Sequence, residues 1–196
     1  MAEVPSTHLL ALQTPAPDIE LPDASGEVFA LDDLRGPRGL LVMFVCNHCP
    51  YVVHLADALA TFAQECDALD VGVVAINSND ASRYPADAPA KMPAFAEAHG
   101  WTFPYLVDSH QTTAHDYHAA CTPDFFLFDG ELRLQYAGQF DASRPGSSKP
   151  IDGADLRKAL AAMIAGQPPL SPQQPSTGCS IKWQPGNEPD QSKLKA

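Results

Sequence analysis

Leu40-Leu41-Val42-Met43-Phe44-Val45-Cys46-Asn47-His48-Cys49-Pro50 is the stretch that decides how the chain folds. Six consecutive apolar residues bounded by a turn read as a strand buried on both faces, which requires a parallel or mixed sheet covered by helices. Beyond the turn, Val52, Leu55, Ala56, Leu59, Phe62, Ala63 and Cys66 recur on one face of an amphipathic helix over 51–66. The two cysteines therefore sit between a buried strand and a helix entrance. Free N–H groups and partial positive charge at that entrance favour a thiolate, the species that attacks disulfides and peroxides. A Cys-x-x-Cys pair is also half of a zinc site. Here no second pair follows at zinc-finger spacing, and the strand–turn–helix context points to redox chemistry.

Upstream, Asp18–Leu21 and Glu27–Leu31 alternate on either side of Asp23-Ala24-Ser25-Gly26, the pattern of a small β-hairpin. Downstream, Val71–Ile76 reads as a second buried strand. Pro85, Pro89 and Pro93 mark 77–93 as an insertion loop with at most a short helix. A helix over 94–99 ended by Gly100, a short strand ending at Leu106-Val107 and a helix over 110–119 follow. Strands over 124–128 and 131–137 flank Asp129-Gly130, a strong hairpin signal, and a last helix spans 154–165. Six prolines after Gln167 (Pro168, Pro169, Pro172, Pro175, Pro185 and Pro189) describe an extended tail with no helix or strand pattern of its own. The class is α/β with a mixed central sheet flanked by helices. The expected organisation is a lead over 1–14, one domain over 15–166 and a Pro-rich tail over 167–196.

The 196 residues suit one domain and would cramp two. With 45% hydrophobic and 18% charged residues the chain can bury a core. Twelve Lys and Arg against 24 Asp and Glu leave a net charge of −12, which argues against nucleic acid or an anionic membrane as partner. No apolar run approaches a membrane span. The N-terminus has no basic start and only a four-residue apolar patch, so the expectation is a cytoplasmic protein without a signal peptide. Five cysteines in such a chain suggest thiol chemistry rather than a disulfide scaffold.

Other residues have both a chemical and a plain reading. His48 can hydrogen-bond a neighbouring thiolate and tune its potential, or simply be turn surface. His54 can accept a proton, or be a bystander on its helix. Thr122-Pro123 opens a strand where a cis proline would sit, the alternative being an ordinary trans bond. Cys66 lies on the apolar stripe and reads as a small buried hydrophobe. Cys121 is either a third redox thiol or a packed strand residue. Cys179, in the tail, either folds back to resolve an oxidised sulfur or marks a tail that docks through Ile181 and Trp183.

From about Pro15 to Gly166 the chain resembles the redoxin branch of the thioredoxin-fold proteins, the peroxiredoxin-like or AhpC/TSA-like group. The resemblance rests on Ala16-Pro17-Asp18-Ile19-Glu20-Leu21, Asp23-Ala24-Ser25-Gly26, Leu31-Asp32-Asp33-Leu34-Arg35-Gly36, Phe44-Val45-Cys46-Asn47-His48-Cys49-Pro50 and Cys121-Thr122-Pro123-Asp124-Phe125-Phe126-Leu127-Phe128-Asp129. The tail phrase Pro175-Ser176-Thr177-Gly178-Cys179-Ser180-Ile181-Lys182-Trp183 is similar to the ending of a CxxC-bearing peroxiredoxin-like subgroup. The resemblance implies a thioredoxin-like fold, no cofactor, a thioredoxin-type or other thiol reductant as partner, and often a homodimer.

Two departures matter. Cys46 stands where peroxiredoxins carry Thr and Val42 where they carry Pro, and no Arg opens the strand at Thr122-Pro123-Asp124 to polarise a peroxide. Losing such a donor typically costs about 10²–10³ in rate. The strand before Cys46 also lacks the buried carboxylate of thioredoxins.

The leading expectation is thus a thiol–disulfide oxidoreductase acting on protein disulfides. Cys46, taken as the more exposed sulfur, attacks; Cys49 resolves; His48 tunes; Pro50, Thr122 and Pro123 support the site. The alternative is a thiol peroxidase in which peroxide oxidises Cys49 and Cys46 or Cys179 resolves it. A reading from another class is a metal-binding module of Cys46, Cys49 and a histidine, His48 or His54.

Overall fold

The computed structural model describes residues 3–7 and 10–189. In chain order the elements are β1 (Glu3–Pro5), β2 (Glu20–Pro22), β3 (Val28–Ala30), α1 (Leu31–Leu34), β4 (Gly39–Phe44), α2 (Pro50–Asp67), β5 (Val71–Asn77), α3 (Met92–Ala98), β6 (Tyr105–Val107), α4 (Thr112–Asp116), β7 (Cys121–Thr122), β8 (Asp124–Asp129), β9 (Leu134–Gly138), α5 (Ala154–Ile164) and β10 (Thr177–Ser180). Two 3₁₀ turns, Pro85–Asp87 and Pro89–Lys91, occupy the insertion between β5 and α3.

The central sheet is mixed, as the run at Leu40–Val45 requires. β4 pairs antiparallel with β8, β8 antiparallel with β9, and β5 parallel with β6. β5 lies beside β4, where Val45 N–H donates to the Ile76 carbonyl at 2.9 Å. Period-two alternation splits β4 between two apolar layers. Leu41 and Met43 join α2 and α5 residues such as Leu59, Phe62 and Leu160 on one side. Leu40, Val42 and Phe44 join Tyr117, Phe126 and Phe128 on the other. Both faces are closed, so every β4 residue is buried. The hairpin expected near the N-terminus is the β2–β3 pair.

Two elements differ from their sequence patterns. The helix expected over 110–119 is only α4, five residues long, because Gln111 and His118 both take left-handed φ values (61° and 52°) that bracket it. The tail, expected to hold no strand, supplies β10, which runs antiparallel between β1 and β7. A strand of four residues rich in Gly and Ser has no period-two signature, and its partners lie far away in sequence. The insertion holds only short turns, in keeping with its prolines: Pro85 and Pro89 each start a 3₁₀ turn at a position that needs no N–H donor.

Candidate active site

Cys49 is the residue that caps α2, with Pro50 as the first helical residue. Its backbone is extended (φ −70°, ψ 122°), so its sulfur projects over the first turn, where the helix leaves N–H groups without intrahelical partners. Cys46 precedes it on the loop that leaves β4. Both sulfurs touch one residue across the sheet: Cys49 Sγ lies 3.0 Å from the Thr122 carbonyl oxygen, and Cys46 Sγ lies 3.6 Å from Thr122 Oγ1. The Thr122–Pro123 bond is cis.

The two sulfurs share a proton unequally. Cys46 S–H donates to the Cys49 sulfur, and this is the main influence holding the Cys49 thiol down at about 5, against the opposing effect of burial. The Thr122 side chain and the Val52 N–H add to it. Cys46 is raised well above its ordinary value by the same bond, by burial and by the Asp87 carboxylate. Of the two thiols, Cys49 is the one held low and Cys46 the one held high. This changes one expectation: Cys46 is not the more exposed sulfur, because both cysteines are 0% exposed. The physical reason is placement. Cys46, Thr122 and the Val52 N–H act on Cys49, whereas the Asp87 carboxylate acts on Cys46.

That carboxylate carries no signal in the sequence. Asp87 sits in the Pro-punctuated insertion and is fully buried against the active-site turn. Its Oδ1 accepts from the Asn47 and His48 backbone N–H groups at 2.9 and 3.2 Å. Its Oδ2 accepts from His48 Nδ1 at 2.6 Å and from Asn79 Nδ2 at 2.8 Å. His48 Nδ1 is 3.9 Å from Cys46 Sγ, but its hydrogen is committed to Asp87. It therefore has no lone pair there to take the Cys46 proton. His48 acts as part of a clamp on the turn, with its ring stacked on Tyr84 at 5.6 Å and an interplanar angle of 10°. Lys182 Nζ lies 5.7 Å from the centre of the Tyr84 ring. Tyr105 adds a hydroxyl bond to Asn47 Oδ1 at 3.0 Å.

Ligand atoms of Cys46, His48 and Asp87 all lie within 4.8 Å of one another. Every accepting direction of Asp87 is nevertheless used by a donor, and His48 Nδ1 is engaged, so a metal would have to dismantle the clamp to bind. His54, the other histidine considered, is turned to Ser143 Oγ at 3.0 Å. His48 Nε2 is buried and has no partner among the described residues.

The other cysteines separate by environment. Cys66 is a core residue of α2, its thiol pushed up to about 12 by burial. Cys121 is buried with Sγ 3.5 Å from the Pro123 carbonyl, and burial pushes its thiol well up. Cys179, on β10, stands opposite Thr122 and packs in the same apolar cluster as Cys46 and Cys49. Its thiol is raised to about 12, first by burial and then by the Cys49 sulfur. The strand before Cys46 lacks a carboxylate, as the sequence indicates, yet other elements supply two buried ones. Besides Asp87 there is Asp124 on β8, 0% exposed and pushed up to about 7 by burial. Its Oδ2 accepts from Ser6 Oγ at 3.0 Å and the Ala120 N–H at 3.3 Å, while its Oδ1 has no partner among the described residues.

The sequence pattern of the AhpC/TSA family matches residues 12–137. An uncharacterized conserved protein from Geobacillus kaustophilus is 44% identical, superposes with a TM-score of 0.91, and the match covers 95% of this chain and 98% of that one. A hypothetical protein, SMc02350, from Sinorhizobium meliloti 1021 is 48% identical with a TM-score of 0.87, covering 90% of this chain and 97% of the other. The thioredoxin-like protein YneN of Bacillus subtilis (strain 168) is 30% identical over 122 residues, 61% of this chain and 66% of its own length. The mixed sheet with helices on both faces is the thioredoxin-like fold.

Proposed function

The chain belongs to the AhpC/TSA family, and on that footing we propose that it is a thiol–disulfide oxidoreductase cycling Cys46 and Cys49 between dithiol and disulfide. The observation that carries this reading is the placement of both sulfurs against one residue at the entrance of α2, Cys49 Sγ 3.0 Å from the Thr122 carbonyl oxygen and Cys46 Sγ 3.6 Å from Thr122 Oγ1. Joining such a pair releases its protons and two electrons, which a substrate disulfide can accept.

The steps follow from which sulfur holds the charge. Cys49 thiolate attacks one sulfur of a substrate disulfide R–S–S–R′. A Cys49–S–R bond forms, and R′S⁻ leaves and takes a proton from solvent. Cys46 then loses its proton and attacks the Cys49 sulfur, expelling RS⁻ and leaving the Cys46–Cys49 disulfide. Two electrons have passed to the substrate, and a thioredoxin-type or other dithiol restores the reduced pair. Asp87 contributes by keeping Cys46 protonated until the mixed disulfide has formed and the Cys49 charge is gone. Thr122 holds both sulfurs against one strand end.

The test compares oxidants. Reduced protein is mixed separately with glutathione disulfide and with hydrogen peroxide at equal concentration, and the products are mapped by mass. The reading expects glutathione disulfide to yield the Cys46–Cys49 link and peroxide to react slowly, since no arginine opens β8 to polarise it. Rapid peroxide consumption with a sulfenic acid on Cys49 in Cys46→Ser would replace it by the thiol peroxidase reading.

A further inference from the structure

Cys49 shares its buried apolar cluster with Cys46 and Cys179, and only the first of these belongs to the Cys-x-x-Cys turn. The other, Cys179, arrives on β10, which pairs antiparallel with β7 so that Cys179 stands opposite Thr122 and Ser180 opposite Cys121. The β7 edge is where an extended polypeptide would add as a strand beside the active cysteines. The chain's own tail occupies it, and β1 in turn covers the outer edge of β10.

The fit is close. A Cβ on Gly178 would collide with the Thr122 carbonyl oxygen and come within 2.7 Å of its carbon. The strand is tied at both ends, by Ser176 Oγ to the Gly138 carbonyl at 2.6 Å and by Lys182 N–H to Asn79 Oδ1 at 2.8 Å. Thr122 thus joins the two cysteines: its carbonyl lies 3.0 Å from the Cys49 sulfur, and Cys179, which shares the Cys49 apolar cluster, stands opposite it in the ladder. This is the arrangement of a docked substrate strand with a cysteine at the attacking sulfur, built from a single chain.

We infer that Cys179 is a third redox thiol of this site, which attacks Cys49 and forms an internal Cys49–Cys179 disulfide. The inference rests on the exchange reading above. When Cys49 carries –S–R, the Cys179 thiol gives up its proton and its electron pair forms the bond to Cys49. The Cys49–S–R bond breaks, and RS⁻ leaves and is protonated. Starting from the Cys46–Cys49 disulfide, the same attack expels Cys46 as a thiol with no net oxidation. The product fastens the tail to the entrance of α2 and frees Cys46.

The experiment uses full-length Cys46→Ser treated with glutathione disulfide, quenched with acid and N-ethylmaleimide, and mapped by mass without reduction. The expected product is a Cys49–Cys179 link within one molecule, formed at a rate independent of protein concentration. Cys46→Ser with Cys179→Ser should instead keep glutathione on Cys49. Adding Gly178→Ala to Cys46→Ser should slow closure more than about tenfold, because the strand is pushed from Thr122. A lasting glutathione adduct on Cys49 beside a free Cys179, or a link only between molecules, overturns the inference and leaves the Cys46–Cys49 cycle standing. Absence of any adduct on Cys49 in both variants overturns the cycle and this inference together.

Discussion

Asp87→Ala is the substitution whose consequences follow most directly from the geometry. Four donors converge on this buried carboxylate: the Asn47 and His48 backbone N–H groups, His48 Nδ1 and Asn79 Nδ2. Alanine leaves all four without an acceptor. An unsatisfied buried donor costs about 1–3 kcal/mol, and water entering the vacated space favours the low end, so the loss should be about 4 kcal/mol. For a domain of this size that corresponds to a fall in Tm of roughly 10 °C. The effect on chemistry is read in Asp87→Asn, well below its melting temperature, because asparagine removes the charge and keeps the shape but turns one accepting oxygen into a donor. With the negative neighbour gone, the Cys46 thiol should titrate lower than in the wild type, since Asp87 is among the causes that raise it. Thermal unfolding by circular dichroism measures the first effect, and the pH dependence of Cys46 reactivity in the Asn variant measures the second. An alanine variant melting within about 2 °C of the wild type would show that the clamp does not hold the turn. An unchanged Cys46 titration in Asp87→Asn would remove the electrostatic account of why the proton stays on Cys46.

Three further outcomes are expected. Thiolate absorbance in the ultraviolet should appear in the wild type with a midpoint at about 5, and Cys46→Ala should move the midpoint upward because the chief donor to Cys49 is lost; an unmoved midpoint contradicts that cause. Asp124, ordinarily near 3.8 and raised to about 7 in the fold, binds its proton more tightly folded than unfolded, so its stabilising contribution is fullest below about pH 4 and is lost as pH rises through about 7. Urea midpoints at about pH 5 and 8 should therefore differ less in Asp124→Asn than in the wild type, and equal pH dependence of the two would refute the assignment. Cys66→Ala should cost about 1–2 kcal/mol of stability through lost core packing and leave the Cys46–Cys49 link intact; loss of the link would place Cys66 in the chemistry.

The parts of the fold that could be read in advance are those fixed by local pattern. The run Leu40–Val45 and the stripe Val52–Cys66 each announce their element through periodicity, and together they place Cys49 at a helix entrance. The parts that could not be read depend on partners far away in sequence. Asp87 is one acidic residue among prolines, 40 positions from Asn47, and nothing local reveals that it meets Asn47 and His48. β10 forms because Thr122 and Glu3 lie where Cys179 can pair with both, a fact of tertiary packing alone. The attacking role read for Cys46 came from resemblance. The proposed cycle gives that role to Cys49, because the Asp87 carboxylate raises the Cys46 thiol while Cys46 and Thr122 lower that of Cys49.

The most direct test of the two-sulfur cycle is equilibrium oxidation of the full-length protein in a graded dithiothreitol redox buffer, with acid quenching and mass mapping of every cysteine. The account predicts a single two-electron transition whose disulfide joins Cys49 to Cys46, with any exchanged fraction joined to Cys179, while Cys66 and Cys121 remain thiols. Oxidation that leaves Cys46 and Cys49 unlinked across the whole range would contradict it.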